Sequence, residues 1–392
     1  MPRYWILRCG FLWRDSVFCG VYRSMRKLVF KLFYLLLFAL ILEGCGERQG
    51  GPSSESRAQG SERQGVLSYE TGDAGVTITD CEESTEGEVV IPGEIEGLPV
   101  TSIGFEAFDS CSSLTSVSIP ESLTSIEPLV FFNCSSLTSI TVASSNPAYK
   151  SIDGVVHSKD GSRLLICPTG KKGHYTIGEN VTRVGATAFW DCSSLTSVTI
   201  PASVTSIEFQ AFAKCTNLTT ITIPDSVTSI GGGAFRDCTS LTSITIPASV
   251  TSIEGYAFVA CSALTSITMP DSITRINEGA FAACSSLTSI TIPEGVTSIE
   301  WGAFEDCNGL TSIIIPESVT SIGEAVMAGC RSLTSATIPE SVTTIGDFAF
   351  AECYSLTSVT IPQAFHSEVE ASRLGLDELW PDGFALPDSS SK

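Results

Sequence analysis

The chain has 392 residues and a formal net charge of −21 at neutral pH. So acidic a chain is a poor binder of nucleic acids or anionic membranes, because both carry negative charge. It contains only three histidines and no Cys-x-x-Cys motif, which leaves little for histidine-based zinc sites or Ser-His-Asp catalysis. We therefore expect a protein that is not an enzyme and needs no cofactor or metal.

Residues 1–44 are predicted to form an export signal. Met25-Arg-Lys is a basic start, and the apolar run from Leu32 to Leu42 follows it. That run suits a signal peptide and is short for a membrane span. Met25 is therefore a candidate for the true start of translation.

The end of this segment, Leu42-Glu-Gly-Cys45, resembles the bacterial lipobox. The resemblance implies that Cys45 receives a lipid and that the lipid anchor is the only contact with the membrane. An ordinary secretion signal and a retained N-terminal anchor remain alternatives.

Residues 45–64 are rich in Gly, Ser, Glu and Arg, and this composition predicts a flexible tether. Residues 65–88 follow with two strand-like stretches, Val66-Leu-Ser-Tyr and Gly75-Val-Thr-Ile-Thr. We expect these stretches to form an N-terminal β cap, because a repeat domain must cover the open end of its core.

A repeat of 23 residues organises residues 89–362, and Pro224–Ile246 is one copy. A fixed period of this length predicts a solenoid, in which each unit buries its apolar face against its neighbours. Within the unit, Ile244 and Ile246 alternate with Thr245, which is typical of a strand. The small-then-aromatic pair Ala257-Phe258 is expected to fill the side opposite the sheet.

The pattern C-x-x-L-x-x-I-x-I-P-x-x-V-x-x-I-G-x-x-A-F covers roughly residues 66–380 and resembles the BspA-like class of bacterial leucine-rich repeats. The resemblance implies a repeat solenoid of the leucine-rich-repeat type. Such a fold is predominantly parallel β, with short helical or 3-10 turns on the convex side. Members of this family are typically surface or secreted proteins implicated in adhesion.

Ten of the fifteen cysteines occupy one position of the repeat. They are Cys111, Cys134, Cys192, Cys215, Cys238, Cys261, Cys284, Cys307, Cys330 and Cys353. Stacked strands are about 4.8 Å apart, beyond the Cβ separation of about 3.5–4.5 Å that a disulfide needs. We expect buried free thiols along this ladder; metal or redox chemistry, or a disulfide that involves Cys81 or Cys167, remains an alternative.

Two segments interrupt or end the repeat. A longer unit at residues 141–180 contains Asp153-Gly154 and Asp160-Gly161, which predict a hairpin. It either adds curvature to the solenoid or protrudes as a contact. The last segment, 363–392, is predicted to form a C-terminal helical cap over Ala364–Leu379, followed by a frayed tail.

Three surfaces are candidates for binding. The first consists of aromatic residues at positions that the repeat leaves variable, since aromatic side chains often anchor interfaces. These residues are Phe105, Trp190, Phe209, Tyr256, Trp301 and Phe348. Phe132 occupies the same position of its unit as Trp190. Local packing of the convex side is the alternative.

The second surface is formed by two rows of threonines on the sheet face. Such residues are typical of an exposed strand face, and the alternative is a regular hydroxyl surface for a glycan or protein. One row is Thr196, Thr219, Thr242, Thr265, Thr288, Thr311, Thr334 and Thr357; the other is Thr199, Thr222, Thr245, Thr268, Thr291, Thr337 and Thr360. The third surface is an acidic column of Asp271, Glu294, Glu317 and Glu340, either solvated or bridged by calcium.

The sequence thus predicts an exported, lipid-anchored protein of the cell envelope or outer surface. Its expected role is non-catalytic binding or adhesion to a protein or glycan on a neighbouring cell or matrix. The alternative is a structural envelope or matrix component that associates with itself, and weak self-association fits either role.

Overall fold

The computed structural model describes residues 62–376 of the chain. The predicted export signal, Cys45, most of the tether and the C-terminal tail lie outside these residues. Residues 62–64, which the sequence places at the end of the tether, form the first strand instead. Within the described part, no helix is long and apolar enough to cross a membrane.

The strands of the N-terminal part precede the long unit. They are β1 (Glu62–Gln64), β2 (Leu67–Gly72), β3 (Gly75–Cys81), β4 (Gly87–Val90), β5 (Glu94–Ile95), β6 (Leu98–Ile103), β7 (Leu114–Ile119), β8 (Ser125–Ile126) and β9 (Ser139–Val142). The long unit and the turn after it contain β10 (Tyr149–Ile152), β11 (Val155–Ser158), β12 (Arg163–Ile166), β13 (Gly173–Thr176) and β14 (Arg183–Val184).

The regular repeats follow, and their strands are two to five residues long. They are β15 (Leu195–Thr199), β16 (Ser206–Ile207), β17 (Thr220–Thr222), β18 (Ser229–Ile230), β19 (Ser243–Thr245), β20 (Ser252–Ile253), β21 (Ser266–Thr268), β22 (Arg275–Ile276), β23 (Ser298–Ile299), β24 (Ser312–Ile314), β25 (Ser321–Ile322), β26 (Ser335–Thr337), β27 (Thr344–Ile345) and β28 (Ser358–Thr360). A 3-10 helix at Gln363–Phe365 and helix α1 at Glu368–Leu374 end the described part.

The molecule is a mostly parallel β-solenoid of about 12 turns. Each regular turn except the one that contains residues 289–291 contributes two strands, one to each of two strand rows. In the first row, β19 pairs with β21 in parallel and Ile244 lies opposite Ile267, 23 residues later. In the second row, β20 pairs with β22, and Ile253 lies opposite Ile276. The predominantly parallel β architecture predicted from the repeat is confirmed.

The second strand row was not expected from the sequence, because its strands are only two residues long in the regular repeats. A Ser-Ile pair is too short to show the alternation by which a strand is recognised. The first row is in turn interrupted at residues 289–291, which are not in strand conformation.

The third side of each turn, between the second strand and the cysteine, is called the turn side below. No helix forms there in the repeats that the structure describes, so the predicted short helices are absent. Single turns of the 3-10 type take their place, closed by bonds between residues three apart, as from the Ala211 amide to the Glu208 oxygen. The amides of Gln210, Phe212 and Lys214 donate to carbonyl oxygens of Gly232, Ala234 and Arg236 in the next turn. The amides of the residues between them donate within their own turn. A helix would need every amide for bonds inside the turn, so this alternation excludes it.

Left-handed backbone conformations make this alternation of amide directions geometrically feasible. Two residues per turn have positive φ, for example Gln210 at 52° and Lys214 at 60°. Glycine occupies the same position as Gln210 in other turns, as at Gly233, Gly279 and Gly302. Non-glycine residues there carry a conformational cost, because their Cβ atom crowds the backbone in this region.

The core consists of stacked ladders of the repeated Leu, Ile, Val, Phe and Cys residues. The phenylalanine rings are parallel from turn to turn, with 5.5 Å between the centroids of Phe212 and Phe235 and 1° between their planes. The buried residues divide into two clusters, and the boundary falls within β11. Val155 belongs to the C-terminal cluster and Val156 to the N-terminal one, since neighbouring residues of a strand face opposite sides.

The long unit contains antiparallel strands. Strands β10 and β11 form a hairpin whose turn residues Asp153 and Gly154 have φ values of 51° and 78°, which suit a type I′ turn. Strand β12 then pairs in parallel with β14 and so leads into the second strand row of the following repeats.

The two ends of the described part differ from the repeats. At the N-terminal end, β2 and β3 are antiparallel, and β3 pairs in parallel with β6. At the C-terminal end, α1 begins after Ser367, whose hydroxyl accepts the Glu370 amide, and ends at the left-handed Gly375. The helix is therefore shorter than the predicted Ala364–Leu379. The carbonyl oxygens of Arg373 and Leu374 accept amides of the last turn side.

Candidate partner-binding surface

The predicted aromatic residues all lie on the turn side, but they occupy three different positions of the repeat. Phe105, Phe209 and Trp301 stand two residues before the small residue of the small-aromatic pair. Tyr256 and Phe348 stand directly before it and have left-handed φ values of 58° and 59°. Trp190, like Phe132, follows the aromatic residue of the pair.

Four of these residues recur on alternate turns of the solenoid. They are Phe209, Tyr256, Trp301 and Phe348, which we call the aromatic row. The turns between them carry Gly232-Gly233, Glu278-Gly279 and Glu324-Ala325 at the same positions. Because stacked turns are about 4.8 Å apart, successive residues of the row are separated by about 10 Å along the stack.

Small residues of the intervening turns make room for the rings. A Cβ atom placed on Gly279 would come within 2.6 Å of two ring carbons of Tyr256, so the ring lies against this glycine. Phe209 lies beside Gly232 in a similar way, 3.6 Å from a Cβ atom placed there. The first three residues of the row are half-buried, and Phe348 is 46% exposed. The row thus packs on its own solenoid and still presents aromatic surface to solvent.

A hydrogen bond fixes Tyr256 further. Its hydroxyl donates to Glu278 Oε1 at 2.6 Å. Burial, and then this bond to the carboxylate, raises the pKa of Tyr256 above its ordinary value. Tyr256 is therefore neutral at physiological pH and can donate this bond.

Trp190 does not belong to this surface, because it is only 7% exposed. The Lys214 ammonium group lies 5.0 Å from the ring centre of Phe132 and 5.5 Å from that of Trp190. These distances are typical of cation–π contacts. Burial raises the pKa of neighbouring Asp191, and the charge of Lys214 opposes that rise. The group joins the turns on either side of the long unit, so its role is structural. Phe105 is half-buried in the N-terminal part, away from the row.

Both threonine rows are exposed, and in the first row six of the eight hydroxyls already donate to the main chain of the preceding turn. Thr219 Oγ1 donates to the main-chain oxygen of Thr196, and Thr265 Oγ1 donates to that of Thr242, each at 3.1 Å. These hydroxyls therefore offer acceptor oxygens to a partner. Ile314 interrupts the second row and is 70% exposed.

The acidic column is exposed at all four positions. The Glu340 carboxylate accepts a hydrogen bond from the main-chain amide of Gln363 at 3.2 Å. This member of the column therefore binds the first residue of the 3-10 helix. In the part of the chain that the structure describes, no three His, Cys, Asp or Glu side chains are placed to hold a metal ion. The geometry gives no support to a calcium bridge.

One acidic residue beside the aromatic row was missed by sequence reasoning. Glu305 lies half-buried on the turn side, and burial, with a smaller contribution from Asp306, raises the pKa of its carboxyl to about 7. Its neighbour Gly302 would place a Cβ atom 3.1 Å from Glu305 Oε2. The available signal was a charged residue at the repeat position that holds Ala213 or Ala282 in other turns.

A family model for the BspA type leucine rich repeat region matches residues 93–153, 171–288 and 251–371, in six copies. The chain belongs to the BspA-type leucine-rich repeat family. Leucine-rich repeat solenoids generally serve as non-enzymatic binding scaffolds. No curated protein matches the sequence.

Solved structures of bacterial leucine-rich repeat proteins are similar to this BspA-type chain. One from Eubacterium ventriosum is 30% identical with a TM-score of 0.57, over 62% of this chain and 64% of that protein, so the match spans less than two thirds of its length. A leucine rich cell surface protein from Faecalibacterium prausnitzii is 29% identical over 82% of this chain and 99% of the other, with a TM-score of 0.48. The pneumococcal vaccine antigen PcpA is 18% identical over 71% and 68%, with a TM-score of 0.44.

Proposed function

We propose that this protein is a non-catalytic binding protein that acts in adhesion, with the aromatic row as its contact surface. The observation that carries the proposal is the recurrence of Phe209, Tyr256, Trp301 and Phe348 on alternate turns. Variable positions of a repeat are free to serve binding, because the core ladders do not depend on them. Trp and Tyr, present here as Trp301 and Tyr256, are enriched among the residues that dominate binding energy at interfaces.

The regular spacing favours a partner that repeats as well. A glycan with β-linked sugars presents sugar faces at regular intervals, and such faces stack on aromatic rings. Carboxylates beside the row, such as Glu278 and Glu305, can accept hydrogen bonds from sugar hydroxyls. A protein partner is the other outcome of the test below.

The test measures retention of the full chain on insoluble chitin, cellulose and xylan particles. We expect retention on at least one of them, and a loss of at least tenfold when Tyr256, Trp301 and Phe348 are all replaced by serine. Tyr354→Ser is the matched control, because Tyr354 is 61% exposed and lies outside the row. A folded triple variant that is retained as well as the unchanged protein would refute the aromatic row. Absence of retention on every particle would refute a glycan of these classes.

The proposed location is the outer face of the cell envelope, with a lipid on Cys45 as the anchor. The lipobox resemblance and the family support this location, although Cys45 lies outside the described residues. Protease treatment of intact cells, followed by blotting for the repeats, is the test. Loss of the repeats supports outward exposure, and protection until lysis contradicts it.

The ends of the solenoid are proposed to act as caps. At the N-terminal end, Val76 and Ile78 of β3 lie opposite Val100 and Ile103 of β6 and are fully buried. At the C-terminal end, Leu374 of α1 is also fully buried. These side chains cover apolar surface that the outermost repeats would otherwise expose to water.

A structural, self-associating role is the second candidate, and one observation favours it. Strand β4 pairs with β7 on one side, and no strand of the described part pairs with its other edge. Val90 on this strand is 66% exposed, and an open edge with an apolar residue can pair with another chain. Sedimentation of the protein and of Val90→Lys tests this role. Association that the substitution abolishes would support it, and a monomer at all concentrations would contradict it.

A further inference from the structure

The thiols of the cysteine ladder follow one rule of hydrogen bonding. Eight of the ten donate to the main-chain oxygen of the residue 26 positions earlier, in the preceding turn. The donors that follow it are Cys134, Cys215, Cys238, Cys261, Cys284, Cys307, Cys330 and Cys353, at 3.0–3.2 Å. Each of these thiols is therefore directed at a carbonyl oxygen and not at the sulfur of another cysteine.

Two ladder cysteines depart from the rule, and both stand where the regular stack begins anew. Cys111 is the first after the N-terminal hairpin, and Cys192 is the first after the long unit. Cys111 Sγ lies 3.8 Å from the carbonyl oxygen of Cys81, and Cys192 Sγ lies 3.7 Å from that of Cys167. Cys111 Sγ also lies 3.6 Å from the Glu82 oxygen and Cys192 Sγ 3.8 Å from the Pro168 oxygen, so main-chain oxygens beside an extra cysteine replace the carbonyl group of the aromatic residue.

The two cysteines of each pair are in contact. In each pair the sulfur of the later cysteine lies against the main chain of the earlier one, and all four are free thiols in the structure. All four residues are at most 2% exposed. We propose that Cys81–Cys111 and Cys167–Cys192 form two disulfide bonds when the chain folds under oxidising conditions.

The chemistry requires an oxidant, which we take to be a small disulfide such as oxidised glutathione. One cysteine loses its proton to water, and the thiolate attacks the reagent to form a mixed disulfide with release of one reduced thiol. The second cysteine, also deprotonated, attacks the mixed disulfide and displaces the other half as a second thiol. Two protein thiols are oxidised and one reagent disulfide is reduced.

The two bonds would join segments that the repeat does not hold by itself. Cys81 ends β3, so the first bond ties the N-terminal hairpin to the first ladder turn, 30 residues later. The second bond closes 25 residues and ties the long unit to the turn that follows it. A cross-link over such lengths restricts the unfolded chain and so stabilises the folded one. This inference rests on the cysteine positions alone and is independent of the proposed binding surface.

The experiment is a peptide map of the full chain after refolding in a mixture of reduced and oxidised glutathione. Free thiols are alkylated in denaturant, and the protein is digested without reduction. We expect one linked peptide pair with Cys81 and Cys111, another with Cys167 and Cys192, and alkylated Cys238 and Cys261. Alkylation of all four proposed partners, or linkage between ladder neighbours, would overturn the proposal.

A second measurement uses thermal unfolding with and without dithiothreitol. The melting temperature of the unchanged protein should fall by several degrees on reduction. Cys81→Ser and Cys167→Ser should each lose one linked pair and part of that fall, whereas Cys238→Ser should keep both pairs. If one variant fails to fold, the peptide map of the unchanged protein still decides whether its bond forms. A melting temperature that reduction leaves unchanged would contradict both bonds.

Discussion

The thiol of Cys238 donates a hydrogen bond to the carbonyl oxygen of Phe212 in the preceding turn, at 3.1 Å. Burial raises the pKa of Cys238 well above its ordinary value, so the proton stays on the sulfur. The repeated cysteine is therefore both a small apolar side chain and a donor to the main chain. Alanine would fill part of the space, but it could not serve this carbonyl group.

Cys238→Ala tests this role. The substitution removes a buried donor and leaves a small cavity, so we expect the free energy of unfolding to fall by about 1–2 kcal/mol. Thr239→Ala is the control, because Thr239 Oγ1 makes an exposed bond to Thr216 in the preceding turn and should cost less than about 0.5 kcal/mol. Equal midpoints of urea unfolding for the two variants would contradict the role of the thiol.

The left-handed position before the cysteine gives a second prediction. Ala283 has a φ of 58°, which costs an L-residue about 1–2 kcal/mol. Ala283→Gly removes that cost and loses about 0.5–1 kcal/mol to the freedom of the unfolded chain. We expect a net gain of about 0.5 kcal/mol in urea unfolding. Ala282→Gly, at the adjacent residue of ordinary φ, should instead lower stability by about 0.5–1 kcal/mol. The same sign for both variants would refute the explanation.

The phenylalanine stack should dominate the stability of the regular repeats. Phe235 is fully buried, and its ring centroid lies 5.5 Å from that of Phe212 and 5.4 Å from that of Phe258. Phe235→Ala should therefore reduce the free energy of unfolding by about 3–5 kcal/mol. Tyr354→Ala removes an exposed ring and should change it by less than about 0.5 kcal/mol. Thermal unfolding of both variants provides the comparison, and a cost below about 1 kcal/mol at Phe235 would contradict a close-packed stack.

Glu305 predicts a pH dependence of stability. Its pKa rises from an ordinary 4.5 to about 7 in the folded protein, first because of burial. Between these values the folded state holds the proton more tightly than the unfolded chain, so stability falls as the pH rises through this window. Glu305→Gln should therefore be more stable than the unchanged protein by about 1 kcal/mol at pH 8, after allowance for solvent screening. The difference should vanish near pH 4.

The control for this prediction is Glu317→Gln. Glu317 is exposed, and the substitution changes the net charge by the same amount. Urea unfolding at pH 4, 6 and 8 gives the three curves. If Glu305→Gln and Glu317→Gln follow the same curve, the effect comes from net charge and not from burial of Glu305.

The period of the sequence was sufficient to predict a parallel solenoid. Identical spacing of Ile244 and Ile267 places like residues opposite each other, and only stacked turns satisfy that spacing over many repeats. The turn side was not predictable in the same way, because a helix and a left-handed turn both accept a variable polar stretch. The glycines at 233, 279 and 302 carried the missing signal, since they share the position of Tyr256.

The candidate site was predicted in part. The variable positions of the repeat placed the aromatic residues on the turn side. Trp190 at one of these positions is nevertheless buried, and Lys214 of a neighbouring turn lies over its ring. Its position alone could not show this, because the packing of Phe132 against Lys214 joins turns that the long unit separates in sequence. The recurrence on alternate turns becomes visible in the sequence only when each unit is compared with the second unit after it and not with the next one.

Strand β11 has Val155 in one apolar cluster and Val156 in the other. The stacked turns therefore share a continuous backbone path but not a continuous core. Heat or force that opens the N-terminal cluster need not open the C-terminal one, because the side chains of the second cluster keep their own neighbours. The two clusters can therefore open as separate units, each with its own stability.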